Sequence, residues 1–126
     1  MPDRAPPPPV PTELTLKRNR RELGIVFADG LSAVLSAQFL RVHSPSAEVT
    51  GHGAGEGVLV TDKENVAIER IDPVGRYAVR LVFDDGHDTG LYTWPILHEF
   101  CRDRERKWQR YLARLAERGR AHSAEE

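Results

Sequence analysis

Five histidines, one cysteine and a run of closely spaced aspartates are the side chains with most chemistry to offer in this chain of 126 residues. His43, His52 and His87 stand in stretches rich in Gly, Pro, Ser and Asp, which read as loops, where function concentrates. His98 falls in a helical pattern and His122 in a polar tail. Neutral imidazole is the commonest metal ligand near pH 7, and its second nitrogen needs a partner that fixes the tautomer. Asp84, Asp85 and Asp88 flank His87 and offer that partner or an oxygen ligand. His52, inside Gly51-His52-Gly53, sits on a backbone free to approach another group closely. His52, His87 and Asp85 are therefore the candidate metal ligands, a set suited to iron or zinc with water completing the shell. No HxH, HxxxH or HExxH spacing occurs, so the site must be assembled from distant loops. The plainer alternative for each imidazole is a backbone hydrogen bond in a tight turn. The same loops would also suit a small enzyme with His52 or His87 as general base, but no nucleophile, oxyanion donor set or cofactor loop accompanies them.

The remaining motifs exclude more than they suggest. Gly51, Gly53, Gly55 and Gly57 are followed by no Gly-Lys-Ser/Thr and lack a strand-to-helix setting, so no nucleotide site is expected. Cys101 lies on an apolar helical seam and reads as a packed thiol. One cysteine permits neither an intramolecular disulfide nor an all-cysteine metal cage. Eighteen basic and 19 acidic residues give a formal charge of −1, which argues against a whole-surface nucleic-acid binder. No apolar run approaches the ~20 residues of a membrane span, and no signal peptide is recognisable, so a cytoplasmic setting is expected.

These residues need elements to position them. Residues 1–11 hold six of the nine prolines and read as an extended, disordered arm. Order is expected over 12–118, with a flexible tail at 119–126. Glu13 to Lys17 alternates polar and apolar, and so does Leu23-Ile25-Phe27, which Ala28-Asp29-Gly30 turns back into Leu31 to Leu35: strand, strand, turn, strand. Ser36 is placed to cap one helical turn through Phe39 and Leu40. His43 to Gly57 reads as a long loop, Val58 to Val60 and Val66 to Ile68 as short strands, and Asp72 to Gly75 as a turn. Tyr77 to Phe83 is the clearest strand, and Asp84 to His87 turns it into Thr89 to Thr93. One helix is expected from Pro95 to Arg118, with Gly119 as its exit and a seam of Trp94, Leu97, Cys101, Trp108, Tyr111 and Leu115. Residues 98–120 carry a local +4 against −5 elsewhere, with Arg102, Arg106, Arg110, Arg114 and Arg118 at i, i+4; either an acidic partner or an ordinary solvated face, neutralised by Asp103 and Glu117, fits that row. The expected fold is α+β: a β-rich single domain of antiparallel hairpins with a long C-terminal helix and no internal repeat.

Two stretches also carry a resemblance. Leu40-Arg41-Val42-His43-Ser44-Pro45-Ser46-Ala47-Glu48-Val49 followed by Gly51-His52-Gly53, and Ile71 to Leu81 followed by Phe83-Asp84-Asp85-Gly86-His87-Asp88-Thr89-Gly90-Leu91-Tyr92-Thr93-Trp94, resemble the two signatures of a family of small bacterial proteins of unknown function. That family is named for its similarity to the N-terminal domain of gamma-butyrobetaine hydroxylase, and the resemblance spans about Thr12 to Leu115. In the animal hydroxylase this domain holds a structural zinc through three cysteines and a histidine and helps build the dimer. The resemblance places Ser44, Ser46 and Val49 at the cysteine positions and His87 at the histidine; serine is a poor zinc ligand and valine none. The oxygenase chemistry belongs to a separate C-terminal domain that this chain is too short to contain. Relatives fused to carriers of iron–sulfur cluster assembly hint at iron handling. The combined expectation is a non-catalytic accessory domain, metal-binding through iron or zinc, that meets a protein partner or a second copy of itself and neither nucleic acid nor a membrane.

Overall fold

In a computed structural model of the protein, residues 9–45 and 59–124 are described. Among the described residues, two three-stranded antiparallel sheets and three helices make a mixed α+β domain. The first sheet contains β1 (Pro11–Leu16), β2 (Glu22–Phe27) and β3 (Ser32–Ser36), in that spatial order. Leu23, Ile25 and Phe27 all point to one side and are buried, as their period of two requires. Ser36 then caps α1 (Ala37–Val42), its hydroxyl accepting the Phe39 amide at 3.0 Å.

The second sheet repeats the plan with β4 (Ile68–Val74), β5 (Ala78–Phe83) and β6 (Gly90–Thr93). Its β5–β6 turn, Phe83-Asp84-Asp85-Gly86-His87, has the same hydrogen bonds as the β2–β3 turn, Phe27-Ala28-Asp29-Gly30-Leu31. In each, the Phe amide donates to the carbonyl four residues on, and the Gly amide donates back to the Phe carbonyl. The Asp carboxylate accepts the amide two residues ahead, and the glycine stands at φ 96° or 92°. A single unit of Phe, Asp and Gly thus builds both hairpins, a local repeat that the surrounding side chains conceal from the sequence.

The expected α+β class, both hairpins and the Ser36 cap are present; several boundaries differ. Asp72, Pro73 and Val74 belong to β4 and not to a turn, because Pro73 lies on an edge strand where its missing N–H breaks no ladder. Gly75, at φ 55°, makes the turn instead. Leu59, Val60, Val66 and Ala67 form no strand; the Ala67 amide is taken by the Asp84 carboxylate at 3.1 Å. The expected single C-terminal helix is two: α2 (Trp94–Arg102), capped by Thr93, and α3 (Arg104–Ala124). They part at Asp103, whose amide caps α2 through Glu99 and whose carboxylate binds Arg102 and Arg106. The break removes Arg102 from the row of arginines, and Arg104 reaches back to the Val34 carbonyl. Gly119 does not end α3, which continues to Ala124, so residues 119–124 have helical backbone. Pro11 already pairs with Phe27, while residues 1–8 of the expected arm lie outside the described residues.

One core joins the parts. Leu23, Ile25, Phe27 and Leu35 from the first sheet meet Ile68, Leu81, Phe83 and Tyr92 from the second, with Phe39 and Leu40 of α1 and Leu97 and Phe100 of α2 between them. Phe100, which the expected seam omits, is buried edge-on against Phe39, ring centroids 5.4 Å apart. The sheets are also tied through backbone at Arg20, which adopts φ 62°, accepts the Ile68 amide and donates its guanidinium to the Glu69 carbonyl.

Candidate functional site

The two signature stretches fold against each other into one corner. Tyr92, fully buried on β6, donates its hydroxyl to the Leu40 carbonyl at 2.6 Å. Ser44 Oγ and His87 Nε2 share a hydrogen bond at 2.9 Å. Arg41 Nε donates to Asp85 Oδ2 at 2.8 Å, and Lys63 Nζ lies 2.7 Å from the same oxygen. Gly90 completes the fit: a Cβ there would collide with Ser44 Oγ and come within 2.9 Å of the Tyr92 ring. Leu40, Arg41 and Ser44 from the first signature thus meet Asp85, His87, Gly90 and Tyr92 from the second.

Asp85 is the electrostatic centre. Burial by itself would raise its pKa, but the Lys63 ammonium, the His87 amide and the Arg41 guanidinium together hold it at about 2. Its two oxygens are already engaged, Oδ2 by both cations and Oδ1 by the amide of His87. A divalent ion at Asp85 would face both positive charges at contact distance, an arrangement Coulomb repulsion disfavours. Of the three expected metal ligands, His87 and Asp85 are thus two residues apart on one turn, with Asp85 committed to an ion-pair network and His87 Nε2 to Ser44. His52 lies outside the described residues. Among the described residues, no group of three or more His, Cys, Asp or Glu side chains is close enough to hold a metal. Of the positions where the resemblance implies zinc ligands, 44 and 87 come together through a hydrogen bond, and 46 and 49 lie outside the described residues.

The other chemically capable groups serve the fold. His43 is the C-cap of α1; its Nδ1 donates to the Phe39 carbonyl at 2.8 Å and its ring lies among those of Phe39, Phe100 and Tyr111. Burial, with Lys107 and Arg114 nearby, lowers its pKa and keeps it neutral. His98 donates to Asp29 at 2.8 Å and stands edge-on to Phe27. Burial pushes the Cys101 thiol up to about 11, which removes the thiolate a nucleophile needs. Lys63 carried no signal in the sequence; Arg41, Ser44, Gly90 and Tyr92 stood in the signatures, but only the fold shows that they bind one another.

The family profile described as gamma-butyrobetaine hydroxylase-like, N-terminal, matches residues 14–98. Two proteins with NMR solution structures are similar: one is 54% identical, covering 88% of this chain and 83% of its own at a TM-score of 0.76, and another is 43% identical, covering 90% and 89% at 0.77. A crystal structure of a protein of unknown function of the DUF971 family, from Acidithiobacillus ferrooxidans, is 36% identical and covers 72% of this chain and 91% of its own at 0.60. No functionally curated protein matches the chain. Among the described residues no helix is long and apolar enough to cross a membrane. With both signatures joined in one corner inside the matched span, the chain belongs to the gamma-butyrobetaine hydroxylase-like N-terminal domain family.

Proposed function

We propose that this domain is a non-catalytic accessory module that works by binding, and that its working corner is the turn around His87. The observation that carries this reading is the interlock itself. Ser44, Asp85, Tyr92 and Gly90 hold the His87 turn in one geometry through bonds internal to the fold, a preorganisation that suits recognition. Bound iron or zinc is the ligand we propose, with His87 and His52 as imidazole donors and Asp85 holding the turn as a carboxylate outside the metal shell. To take up the ion, His87 Nε2 would exchange its hydrogen bond to Ser44 Oγ for coordination, giving up about 1 kcal/mol.

Elemental analysis of protein purified without a histidine tag tests the proposal. Stoichiometric iron or zinc that disappears in His87→Gln, with unchanged circular dichroism, is the expected result. Metal-free protein, or a variant that retains its metal, overturns the ligand set. The alternative is a small enzyme with His52 or His87 as general base; the structure adds the Ser44 hydroxyl beside His87 as a candidate nucleophile, against which stands Ser44 being only 9% exposed. Stabilisation by a small metabolite in a thermal-shift screen of metal-free protein would favour that alternative.

A further inference from the structure

We propose that the free edge of β1 is a self-complementary pairing surface through which two copies of this chain form an antiparallel dimer, joining their first sheets into one of six strands. Among the described residues β1 pairs only with β2 and ends the sheet. An open edge is a template for another strand unless charge, proline or a cover protects it. The opposite edge, β3, has such a cover, because Arg104 of α3 donates to the Val34 carbonyl. In the second sheet Arg20 binds the backbone of Ile68 and Glu69 on the β4 edge, and the other edge strand, β6, is only four residues long. No described residue covers β1 in this way.

The register follows from the pairing inside the sheet. The Lys17 amide donates to the Glu22 carbonyl, so the backbone groups of residues 13, 15 and 17 turn toward β2 and those of 14 and 16 turn outward. A two-fold axis at Thr15 then pairs Leu14 of one copy with Leu16 of the other, and the reverse. Both amides and both carbonyls of each such pair face one another, giving four backbone hydrogen bonds. Leu14 and Leu16, half-buried and packed against the core, would continue the apolar face of the sheet across the junction. On the other face Glu13 of each copy stands opposite Lys17 of its mate, and Thr15 opposite Thr15. These are non-hydrogen-bonded pairs, the closer kind, where opposite charges attract best. Glu13 and Lys17 are exposed, and neither makes a salt bridge among the described residues, so the charges are available. Moving the axis one residue either way sets Glu13 opposite Thr15 or Asn19, and the charge match is lost. A contact of about five residues per strand is small for a stable interface, so the dimer belongs to the weak, concentration-dependent class.

Sedimentation equilibrium on the full chain across a wide concentration range tests the proposal. Reversible dimerisation is expected, with the amides of Leu14 and Leu16 gaining protection from hydrogen exchange as concentration rises. Glu13→Lys or Lys17→Glu alone sets like charges opposite each other twice per dimer and should weaken association about tenfold. The double variant exchanges the charges and should restore it. A chain that stays monomeric at millimolar concentration refutes the surface. A dimer indifferent to both single variants places the interface elsewhere and refutes it equally. Because both side chains are exposed, thermal melts of the variants should match the wild type and separate these outcomes from misfolding.

Discussion

Replacing Asp85 with asparagine isolates the charge at the centre of the signature corner, because asparagine keeps the size and can still accept the His87 amide. The carboxylate is held at about 2 instead of its ordinary 3.8, a difference equivalent to roughly 2 kcal/mol. Its side chain is 18% exposed and those of Arg41 and Lys63 are 14% and 23%, so water and salt reach the network and screening reduces the contribution to about 1–2 kcal/mol. For a domain of this size the melting temperature of Asp85→Asn should fall by roughly 5–10 °C at pH 7. The sign of the pH dependence is fixed by the direction of the shift. A depressed folded-state pKa stabilises the protein fully above the unfolded value and loses that stabilisation as pH falls through the folded one. The gap between wild type and variant, read from urea midpoints, should therefore be flat from pH 7 to about 5 and close between about 4 and 2. One molar salt at pH 7 should narrow it as well. Equal stability at pH 7, or a gap that persists undiminished near pH 2, would refute the assignment of Asp85 as the keystone of an ion-pair network.

Other perturbations reach the same corner and its neighbours. Gly90→Ala introduces a Cβ into space held by Ser44 Oγ and the Tyr92 ring, and should cost about 1–3 kcal/mol in a chemical melt, whereas Gly119→Ala, where a Cβ meets nothing, should be neutral or stabilising. Tyr92→Phe leaves the Leu40 carbonyl without its hydroxyl donor in a buried setting, and should lower stability by about 1–2 kcal/mol. His43, kept neutral by burial, binds a proton more readily when unfolded, so it should make stability fall as pH drops below about 6.5 toward its lowered folded value; His43→Gln should flatten that part of the profile.

Much of the architecture was legible because it rests on local rules. Alternation over Leu23-Ile25-Phe27 and Val79-Leu81-Phe83, Asp-Gly at both hairpin turns and Ser36 at a helix start each act within a few residues. The misread boundaries are places where a distant group intervenes. Asp84 takes the Ala67 amide and denies the expected strand, and Asp103 gathers Arg102 and Arg106 so that one helix becomes two. The site was half legible. His87 and Asp85 were singled out by type, but Lys63 approaches Asp85 from 22 residues away, and no spacing in the chain announces that. What periodicity assigns to a face, it does not assign to a partner.

The interlock also bears on how this corner can hold without the zinc that the resemblance implies for the animal hydroxylase. Positions 44 and 87, ligand positions there, are joined here by one hydrogen bond between a hydroxyl and an imidazole. Such a bond contributes about 1 kcal/mol, far below a structural zinc, so it cannot be the main fastening. The remaining hold comes from links at neighbouring positions: the hydroxyl of Tyr92 on Leu40, and Arg41 with Lys63 on Asp85. A clamp built from several modest bonds has a different signature from one built on a metal. Each loss should weaken it by one or two kcal/mol without unfolding the domain, and a chelator that strips iron or zinc from His87 should lower the melting temperature only by that ion's own binding contribution and leave the domain folded. A chelator that collapsed the fold would instead mean that a metal carries the corner and that the hydrogen-bonded contacts are secondary to it.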